Sequence, residues 1–445
     1  MNNVRFSRIG FILAAAGSAV GLGNIWKFPY MTGENGGGAF VLIYLITIIF
    51  IGLSLFLAEV VMGRLSREDT VTTFETLAPK NGHLWKYSGW MAVNSALILS
   101  FYLVVIGWIF KYIYIAATTL PTNIKDSSSE FGGMVTTDIT GQLLLYTLAF
   151  LITVVIVSQG IKKGIEKANI ILMPLLVVIL VGLCFYSTTL DGFPKAIEFL
   201  FVPDFSEVHS SSILAAVGHA FFTLSLGMGT IMTYSASLPK ETNLVRASAI
   251  VALIDTAIAL ISGVVIFAII FSFGAEPSQG PGLVFISLPA ILHDMGLLGN
   301  IIGVLFFTAL AFAGITSAVS ILEPTTMVLI NRFKISRKKA LIILGSMVYA
   351  LGAMALLSNI EGVKSYVTFF GTGTFDILDF ITASIFLPIA GMIIAIFVGF
   401  VVEKDRLYKL LNPYMGDKLF SIWYFVIKFI TPLGVMIVMI NKLFF

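Results

Sequence analysis

The sequence predicts an all-α integral membrane protein with eleven transmembrane helices. Hydrophobic residues make up 58% of the 445 residues and charged residues only 11%, whereas soluble domains carry about 25% charged residues. Apolar runs of about 20 residues, long enough to cross a bilayer as a helix, recur along the whole chain. A large soluble protein is disfavoured, because so many long apolar runs do not fit into one soluble core.

The predicted spans are numbered in chain order, and each follows one apolar run. They cover residues 8–33, 38–63, 88–118, 139–158, 166–188, 212–237, 245–274, 299–330, 338–358, 374–402 and 420–444. The first span is too long for a cleaved signal peptide and lacks a small-residue cleavage site. Because no linker or low-complexity tract separates the spans, we expect one domain over residues 1–445.

Basic residues predict the orientation. With the N-terminus in the cytoplasm, most of the 27 lysine and arginine residues fall in cytoplasmic segments, as the positive-inside rule requires. One such segment, between spans 8 and 9 and including the start of span 9, holds Arg332, Lys334, Arg337, Lys338 and Lys339. The net charge of +3 therefore reflects topology, and we expect no nucleic-acid partner.

Glycines interrupt two of the predicted spans near their middle. Span 1 contains Gly17, Gly21 and Gly23, and span 6 contains Gly227 and Gly229. Glycine costs a helix about 1 kcal/mol per position, and lipid tolerates a broken backbone only where it is buried in protein or lines a cavity. Glycines for close helix packing are the alternative.

The interruptions lie five spans apart, which fits an inverted repeat of spans 1–5 and 6–10. The first repeat would cover residues 1–188 and the second 212–402, and the helix at 420–444 would be additional. Asn24, Thr223 and Ser225 bring side-chain oxygens to the depth of the interruptions. Such oxygens and freed carbonyls suit a hard cation such as sodium, while freed N–H groups suit an anionic substrate group.

Polar residues in two other spans add to this pattern. Asp255 lies far from either end of span 7, and an intramembrane acid is by default a functional hypothesis. Thr316 and Ser317 are consecutive hydroxyls in the apolar span 8. On the residues alone, hydrogen bonding of these hydroxyls to their own helix is the favoured interpretation.

Three stretches resemble the neurotransmitter:sodium symporter family. They are Gly10–Tyr30 in span 1, the glycine-rich Glu34–Phe40 after it, and Ala313–Ser317 in span 8. The resemblance extends from span 1 to span 10 and is closest to the bacterial amino-acid transporters with eleven helices. It implies the bacterial leucine transporter-like fold, in which helices 1 and 6 are broken.

The resemblance implies two sodium sites. The first would use Asn24, Thr223, Asp255 and the Ala19 carbonyl, completed by the substrate carboxylate. The second would use the carbonyls and hydroxyls of Gly17, Val20, Ala313, Thr316 and Ser317. Chloride-dependent relatives have serine where this chain has Ala259 and glutamine where it has His219. We therefore expect Asp255 to supply a fixed negative charge, with no chloride required.

The resemblance also implies a substrate pocket. Its predicted lining is Ser18, Ala19, Gly21, Leu22, Gly23, Ile98, Tyr102, Phe222, Thr223, Ser225, Met228, Ser317 and Ile321. Monoamine transporters carry aspartate at the position of Gly21, so a substrate here should bring its own carboxylate, which Tyr102 would hydrogen-bond. The apolar remainder favours a neutral, hydrophobic α-amino acid.

Gates are expected on both sides of the pocket. Lys27 and Asp379 match a charged pair on the outer side, although lysine cannot form the bidentate fork of arginine. The usual inner latch is not expected from Arg5 or Arg8, because Asn331 occupies the position of its aspartate. In span 5, Gly164 and Pro174 indicate either local unwinding or a simple proline kink.

We therefore expect a sodium-coupled importer of a neutral amino acid that works by alternating access in the cell inner (plasma) membrane. It would contact the lipid bilayer as a multi-pass monomer or homodimer. The alternatives are an amino-acid sensor that does not transport, and a symporter for another small zwitterion. No enzyme is expected, because the sequence shows no nucleophile–base pair and its four histidines are dispersed. Cys184, the single cysteine, excludes a disulfide framework and a thiolate metal site.

Overall fold

The computed structural model describes residues 6–277, 280 and 282–444, and Arg5 lies outside them. The described chain is almost entirely α-helical, and the helices are numbered here in chain order. The first nine are α1 (Arg8–Ala19), α2 (Gly23–Glu34), α3 (Gly38–Ser66), α4 (Thr70–Leu77), α5 (Gly82–Thr118), α6 (Ile124–Thr136), α7 (Ile139–Ser158), α8 (Ile161–Ser187) and α9 (Phe193–Phe201).

The described residues of the second half form eight longer helices, two short 3₁₀ helices (Phe205–Glu207 and Lys364–Val367) and a small hairpin. The helices are α10 (Ser210–Thr223), α11 (Thr230–Ala236), α12 (Leu244–Ser272), α13 (Leu283–Asp294), α14 (Leu297–Phe333), α15 (Arg337–Leu357), α16 (Thr374–Val401) and α17 (Lys404–Asn441). The hairpin pairs β1 (Thr368–Phe369) with β2 (Thr372–Gly373) in antiparallel register.

Nine helices of the described residues are long and apolar enough to cross a membrane, or ten when α1 and α2 count as one bent span. The predicted sixth span corresponds to α10 and α11, neither of which is long enough alone. The all-α membrane class and the two broken helices are thus confirmed, while the count of eleven spans stays a prediction. We call the side where α1 begins the inner side and the opposite side the outer side.

The first interruption separates α1 from α2. Helix α1 ends at Ala19, Val20 has an extended backbone, and the helix resumes at Gly23 along an axis bent by 48°. Since Val20, Gly21 and Leu22 make no regular helical ladder, peptide groups beside Gly21 are free for other partners. At the other end, the Ser7 side chain caps α1 by accepting a hydrogen bond from the Gly10 N–H.

The second interruption, residues 224–229, separates α10 from α11. Three of its residues have positive φ angles, namely Ser225 (53°), Gly227 (79°) and Gly229 (74°). Glycine adopts this conformation without a steric penalty, whereas Ser225 pays one. The buried Glu59 of α3 accepts a hydrogen bond of 2.8 Å from the Gly227 N–H, so a carboxylate satisfies the broken backbone where lipid could not.

The structure corrects some predicted helix bounds. The last helix begins at Lys404 rather than at residue 420, and Gly416 interrupts it with a φ of 69°. The charged stretch before Gly416 is helical too, and the glycine allows the chain to turn into the final apolar run. Helix α8 begins at Ile161 rather than at residue 166, because a wide π-helical turn precedes its α-helical part.

Pro174 lies inside the α-helical part of α8, which continues from Lys167 to Ser187. Of the two interpretations of span 5, the structure shows no unwinding at Pro174 itself. The irregular backbone lies earlier, at Ile161–Glu166, and includes Gly164. In α8, a wide turn that contains Gly164 is therefore followed by an α-helical part that contains Pro174.

Candidate functional site

A cavity lies between the two interruptions, at the centre of the helix bundle. It has a volume of about 20 Å³ and is bordered by α1, α2, α5, α10, α14 and the interrupted segments. Its lining consists of the residues predicted for the substrate pocket: Ser18, Ala19, Gly21, Leu22, Gly23, Ile98, Tyr102, Phe222, Thr223, Ser225, Met228, Ser317 and Ile321. None of these side chains carries a charge. The fold thus gathers all thirteen predicted residues around one small space.

A polar cluster around Asp255 lies beside this cavity. The Asp255 side chain is fully buried, and Asn24 Nδ2 donates to its Oδ1 at 2.8 Å and to its backbone carbonyl at 2.9 Å. Thr223 Oγ1 donates to both carboxylate oxygens, at 3.1 and 3.2 Å. The three side chains predicted for the first sodium site therefore meet. Asn24 comes from α2, Thr223 from α10 and Asp255 from α12.

Asn24 also connects this cluster to the first interruption. Its Oδ1 accepts a hydrogen bond of 3.0 Å from the Gly21 N–H. Ala19, whose carbonyl was predicted as a further ligand, ends α1 and lines the central cavity. A side-chain network thus holds a broken backbone next to a buried carboxylate.

A second polar cluster surrounds Ser317 of α14. Its hydroxyl lies 3.2 Å from the carbonyl oxygens of Gly17 and of Val20, and it donates to them across the helix interface. These carbonyls stand at the end of α1, where the helical ladder stops. The cluster of Gly17, Val20 and Ser317 therefore consists of two backbone carbonyls and one hydroxyl, all of them uncharged.

The two hydroxyls predicted for this cluster behave differently. Thr316 Oγ1 donates within its own helix, to Phe312 at 3.0 Å and to Ala313 at 3.1 Å. The interpretation of hydrogen bonding to the helix's own carbonyls therefore applies to Thr316 and not to Ser317. Thr316 nevertheless faces α1, because a Cβ atom built on Gly17 would lie 3.2 Å from the Thr316 Cβ.

The backbone at Gly21 lies so close to two side-chain hydroxyls that a larger residue there would crowd them. A Cβ atom there would lie 2.6 Å from Ser317 Oγ and 3.0 Å from Tyr102 Oη. The Tyr102 hydroxyl accepts a hydrogen bond of 3.4 Å from the Leu22 N–H. Because Gly21 has no side chain, the Ser317 and Tyr102 hydroxyls can both lie close to the interrupted backbone.

An outer cavity of about 370 Å³ lies next to the central one. Four residues line both cavities: Leu22, Gly23, Tyr102 and Phe222. The two predicted gate residues, Lys27 and Asp379, line the outer cavity, and Lys27 Nζ lies 4.7 Å from the centre of the Phe222 ring. Tyr102 and Phe222 therefore stand between the outer space and the centre.

The inner side is closed by contacts that the sequence analysis did not assign. Phe6 is buried, its ring centre lies 5.2 Å from that of Tyr234, and its N–H donates to the Ser237 carbonyl. Ser7 Oγ donates to Glu166 of α8 at 2.5 Å. A serine before the first apolar run was a capping signal, but nothing in the sequence indicated its partner Glu166.

Two further contacts close the loop after α3 onto α14. Asn331 Nδ2 donates to Asp69 Oδ2 at 3.2 Å, and Arg332 pairs with Glu75. Asn331 is thus engaged as a donor to Asp69. Because the inner side is closed and the outer cavity adjoins the central cavity, the central cavity is reached from the outer side.

Comparisons with known proteins agree with this geometry. The family model described as "Sodium:neurotransmitter symporter family" matches residues 4–128 and 124–444. An uncharacterized sodium-dependent transporter of Bacillus subtilis (strain 168), YhdH, is 36% identical over 441 residues, which cover 98% of this chain and 96% of that protein. An uncharacterized sodium-dependent transporter of Haemophilus influenzae is 34% identical and covers 98% of this chain and 97% of its own length.

A solved structure is similar over the full length. The crystal structure of MhsT in complex with L-phenylalanine is 43% identical in sequence, with a TM-score of 0.89, and the match covers 99% of this chain and 100% of that one. The model match, the relatives and the fold all indicate one family, whose members are transporters rather than enzymes. The chain therefore belongs to the sodium:neurotransmitter symporter family and is a sodium-dependent transporter.

Proposed function

We propose that this transporter imports a neutral, hydrophobic α-amino acid together with two sodium ions and without chloride. The observation that carries the proposal is the central cavity between two broken helices, lined by uncharged residues and flanked by the two polar clusters. Freed N–H and C=O groups at the interruptions offer opposite poles to a zwitterion. In this arrangement the protein supplies oxygens for the cations, and the substrate supplies a carboxylate.

The first sodium ion would bind in the Asp255 cluster. Asn24, Thr223 and Asp255 are hydrogen-bonded to one another, so an ion enters by replacing these direct bonds with cation–oxygen contacts. The Ala19 carbonyl and the substrate carboxylate complete the coordination. Because Asp255 is fully buried, a cation beside it offsets the cost of keeping a carboxylate inside the bundle.

The second sodium ion would bind in the Ser317 cluster. Here the carbonyls of Gly17 and Val20 already point at one hydroxyl, and a cation would take the position of the hydroxyl hydrogen. Thr316 and the Ala313 carbonyl supply the remaining oxygens. The site joins α1 to α14, so a bound ion would favour the position of α1 in which the inner side is closed.

The chemistry of the pocket lining supports the substrate class. Gly21 carries no acidic side chain, and even a Cβ there would crowd Ser317 Oγ and Tyr102 Oη, so the negative group would come with the substrate. Met228 and Ile321 are buried and apolar, which suits a hydrophobic side chain. The similar MhsT structure holds L-phenylalanine, an amino acid of this class.

Chloride independence is supported by the residues of α12. Asp255 provides an anionic oxygen within the polar cluster, and Ala259, one helical turn later, is buried and offers no hydroxyl. A permanent carboxylate therefore balances the first sodium ion without a mobile anion. Two sodium ions on a neutral substrate carry two positive charges inward, which a potential of 100 mV drives with about 2.3 kcal/mol per charge.

Transport would proceed by alternating access in the cell inner membrane, with the N-terminus in the cytoplasm. The outer cavity admits the load past Tyr102 and Phe222, and Lys27 and Asp379 close above it. Spans 1, 2, 6 and 7 then rock, the Phe6 and Ser7 contacts open, and the load leaves inside. The protein acts in this scheme as a monomer or as one unit of a homodimer.

Uptake into proteoliposomes tests the proposal. A panel of the twenty amino acids is offered under an inward sodium gradient, then under potassium, and then with gluconate in place of chloride. We expect uptake of hydrophobic neutral amino acids, abolished by potassium and unchanged by gluconate. Sodium-dependent binding without counterflow would instead identify a sensor, and uptake of a zwitterion outside the α-amino acids would overturn the substrate class.

A further inference from the structure

A groove separates α7 from α15 on the outside of the bundle, away from the central cavity. It has a volume of about 360 Å³ and is lined on one side by Phe150, Val154 and Ser158 and on the other by residues from Lys338 to Tyr349. Apolar residues with about half of their surface exposed flank it, among them Leu151 and Ile342. In a membrane protein such flanks face lipid, so the groove opens to the bilayer.

The groove is a fixed feature of the packing, because hydrogen bonds join the two helices at both of its ends. At one end, Tyr349 Oη and Thr147 Oγ1 lie 2.9 Å apart, and Tyr146 Oη donates to the Tyr349 carbonyl at 3.0 Å. At the other end, Arg337 donates to the Val157 carbonyl at 3.0 Å. Between these contacts, Gly345 has no side chain to fill the gap, and the nearest ring atom of Phe150 would lie 3.2 Å from a Cβ built there.

The dimensions suit one acyl chain. The stretch from Lys338 to Tyr349 lines the groove, and at about 1.5 Å per residue it runs for about 16 Å along α15. The deep end is closed by tyrosine rings whose centres lie 5.2 Å apart. A hydrocarbon chain can therefore lie along the groove with one end against the tyrosines and the other at Lys338.

Charge distinguishes the mouth of the groove from the rest of the lipid-facing surface. Lys338 is exposed there, and Ser158, the last residue of α7, lines the same end. Lys162 and Lys163 are exposed at the adjoining start of α8. The sequence has no acidic residue within 139–165 or 338–360, and Glu323 is buried and engaged by Arg337 at 2.6 and 2.7 Å.

We propose that this groove binds one anionic glycerophospholipid of the inner leaflet, with an acyl chain between α7 and α15 and its phosphate at Lys338. Basic pockets between transmembrane helices on the cytoplasmic side are a recurrent way of holding such headgroups. The groove backs onto the transport site, because α15 packs against α5 and α14, which carry Tyr102 and Ser317. The lipid would stabilise these helices while α1, α2, α10 and α11 move.

Native mass spectrometry of the purified protein tests this site, with phosphatidylglycerol and phosphatidylcholine of identical acyl chains added in parallel. We expect one phosphatidylglycerol to be retained preferentially. Lys338→Gln should weaken that retention about fivefold, as expected for the loss of one lysine near a headgroup. Lys339→Gln, which removes the same charge one residue further along α15 without lining the groove, should change it less than about twofold.

Gly345→Leu gives a second test, because its side chain would occupy the groove. It should lower retention of both lipids, and sodium-dependent amino-acid binding reports that the variant is folded. Equal retention of the two lipids by the unaltered protein would overturn the proposal, as would equal losses in Lys338→Gln and Lys339→Gln. If Gly345→Leu instead converts a dimer to a monomer and leaves lipid retention unchanged, the groove is an interface between copies and the lipid site is refuted.

Discussion

The two candidate sodium sites flank the same cavity but are built from different chemistry. The Asp255 cluster joins a carboxylate, an amide and a hydroxyl from three parts of the chain. The Ser317 cluster joins a hydroxyl to carbonyls that the end of α1 leaves free. Charge defines the first site, whereas the shape of the backbone defines the second.

This difference teaches how each site should respond to change. A buried carboxylate is expensive without a cation and favours one strongly when it arrives. Neutral oxygens contribute less individually, since each is worth about as much as an ordinary hydrogen bond. We therefore expect a single substitution at Asp255 to be severe and single substitutions around Ser317 to be graded.

The largest effect is expected for Asp255→Asn. Losing charge-assisted contacts of about 1.5–3 kcal/mol should lower sodium-dependent uptake about 10- to 100-fold in chloride-free medium. Because asparagine keeps the shape but not the charge, added chloride should restore part of the activity. Uptake in proteoliposomes with and without chloride measures both effects.

Asp294→Asn is the matched control, because this exposed carboxylate at the end of α13 lies outside the cavity lining. It should leave uptake unchanged. If Asp255→Asn kept its sodium affinity and transport, the charged character assigned to the first site would be wrong.

Gly21→Ala should produce the next largest effect, and it should act mainly on the Ser317 side. The new methyl group would approach Ser317 Oγ and Tyr102 Oη, and such overpacking costs about 1–3 kcal/mol. Amino-acid affinity should fall about tenfold, as measured by equilibrium binding. Gly182→Ala, where nothing lies within 4 Å of an added Cβ, should bind normally, and an equal loss there would show that the effect is not local.

Ser317→Ala should weaken sodium dependence by about fivefold, since it removes one neutral oxygen and leaves the carbonyls of Gly17 and Val20 in place. The measurement is the sodium concentration at half-maximal amino-acid binding. Ser262→Ala serves as control, because Ser262 bonds within its own helix to Ile258. A loss as large as that of Asp255→Asn would remove the distinction between the two sites.

Thr316→Val should have the smallest effect, about twofold in the same assay. The Thr316 hydroxyl hydrogen is already used within α14, so only its remaining acceptor capacity serves a cation. Thr326→Val, which removes a similarly bonded hydroxyl further along α14, is expected to have no effect. A tenfold loss in Thr316→Val would show that its hydroxyl turns towards the ion on binding.

The same contrast explains which parts of the site were predictable from the sequence. Asp255 and the glycines of spans 1 and 6 are costly in a plain membrane helix, so their presence indicated a function without any structure. Ser317 and Thr316 carry no such signal, because hydroxyls in membrane helices commonly bond to their own backbone. Thr316 does this and Ser317 does not, a difference that depends on where α1 ends.

Other features depended on packing that a sequence does not reveal. The all-α membrane class followed from composition, the glycines indicated interruptions with close helix packing as the alternative, and the family resemblance implied the particular fold. The wide turn at Ile161–Glu166 was not predicted, because the irregularity was expected at Pro174, where the α-helix in fact continues. The inner contact between Ser7 and Glu166 joins residues 159 positions apart, and the sequence could indicate only the capping role of Ser7.

The central claim is that two sodium ions and one amino acid bind together between the broken helices. Parallel equilibrium binding of radioactive sodium and of the radioactive amino acid that the uptake panel identifies tests it most directly on the purified protein. We predict two sodium ions per amino acid without chloride, with one ion lost in Asp255→Asn and the other weakened in Ser317→Ala. Binding of the amino acid without sodium, or loss of the same ion in both variants, would contradict it.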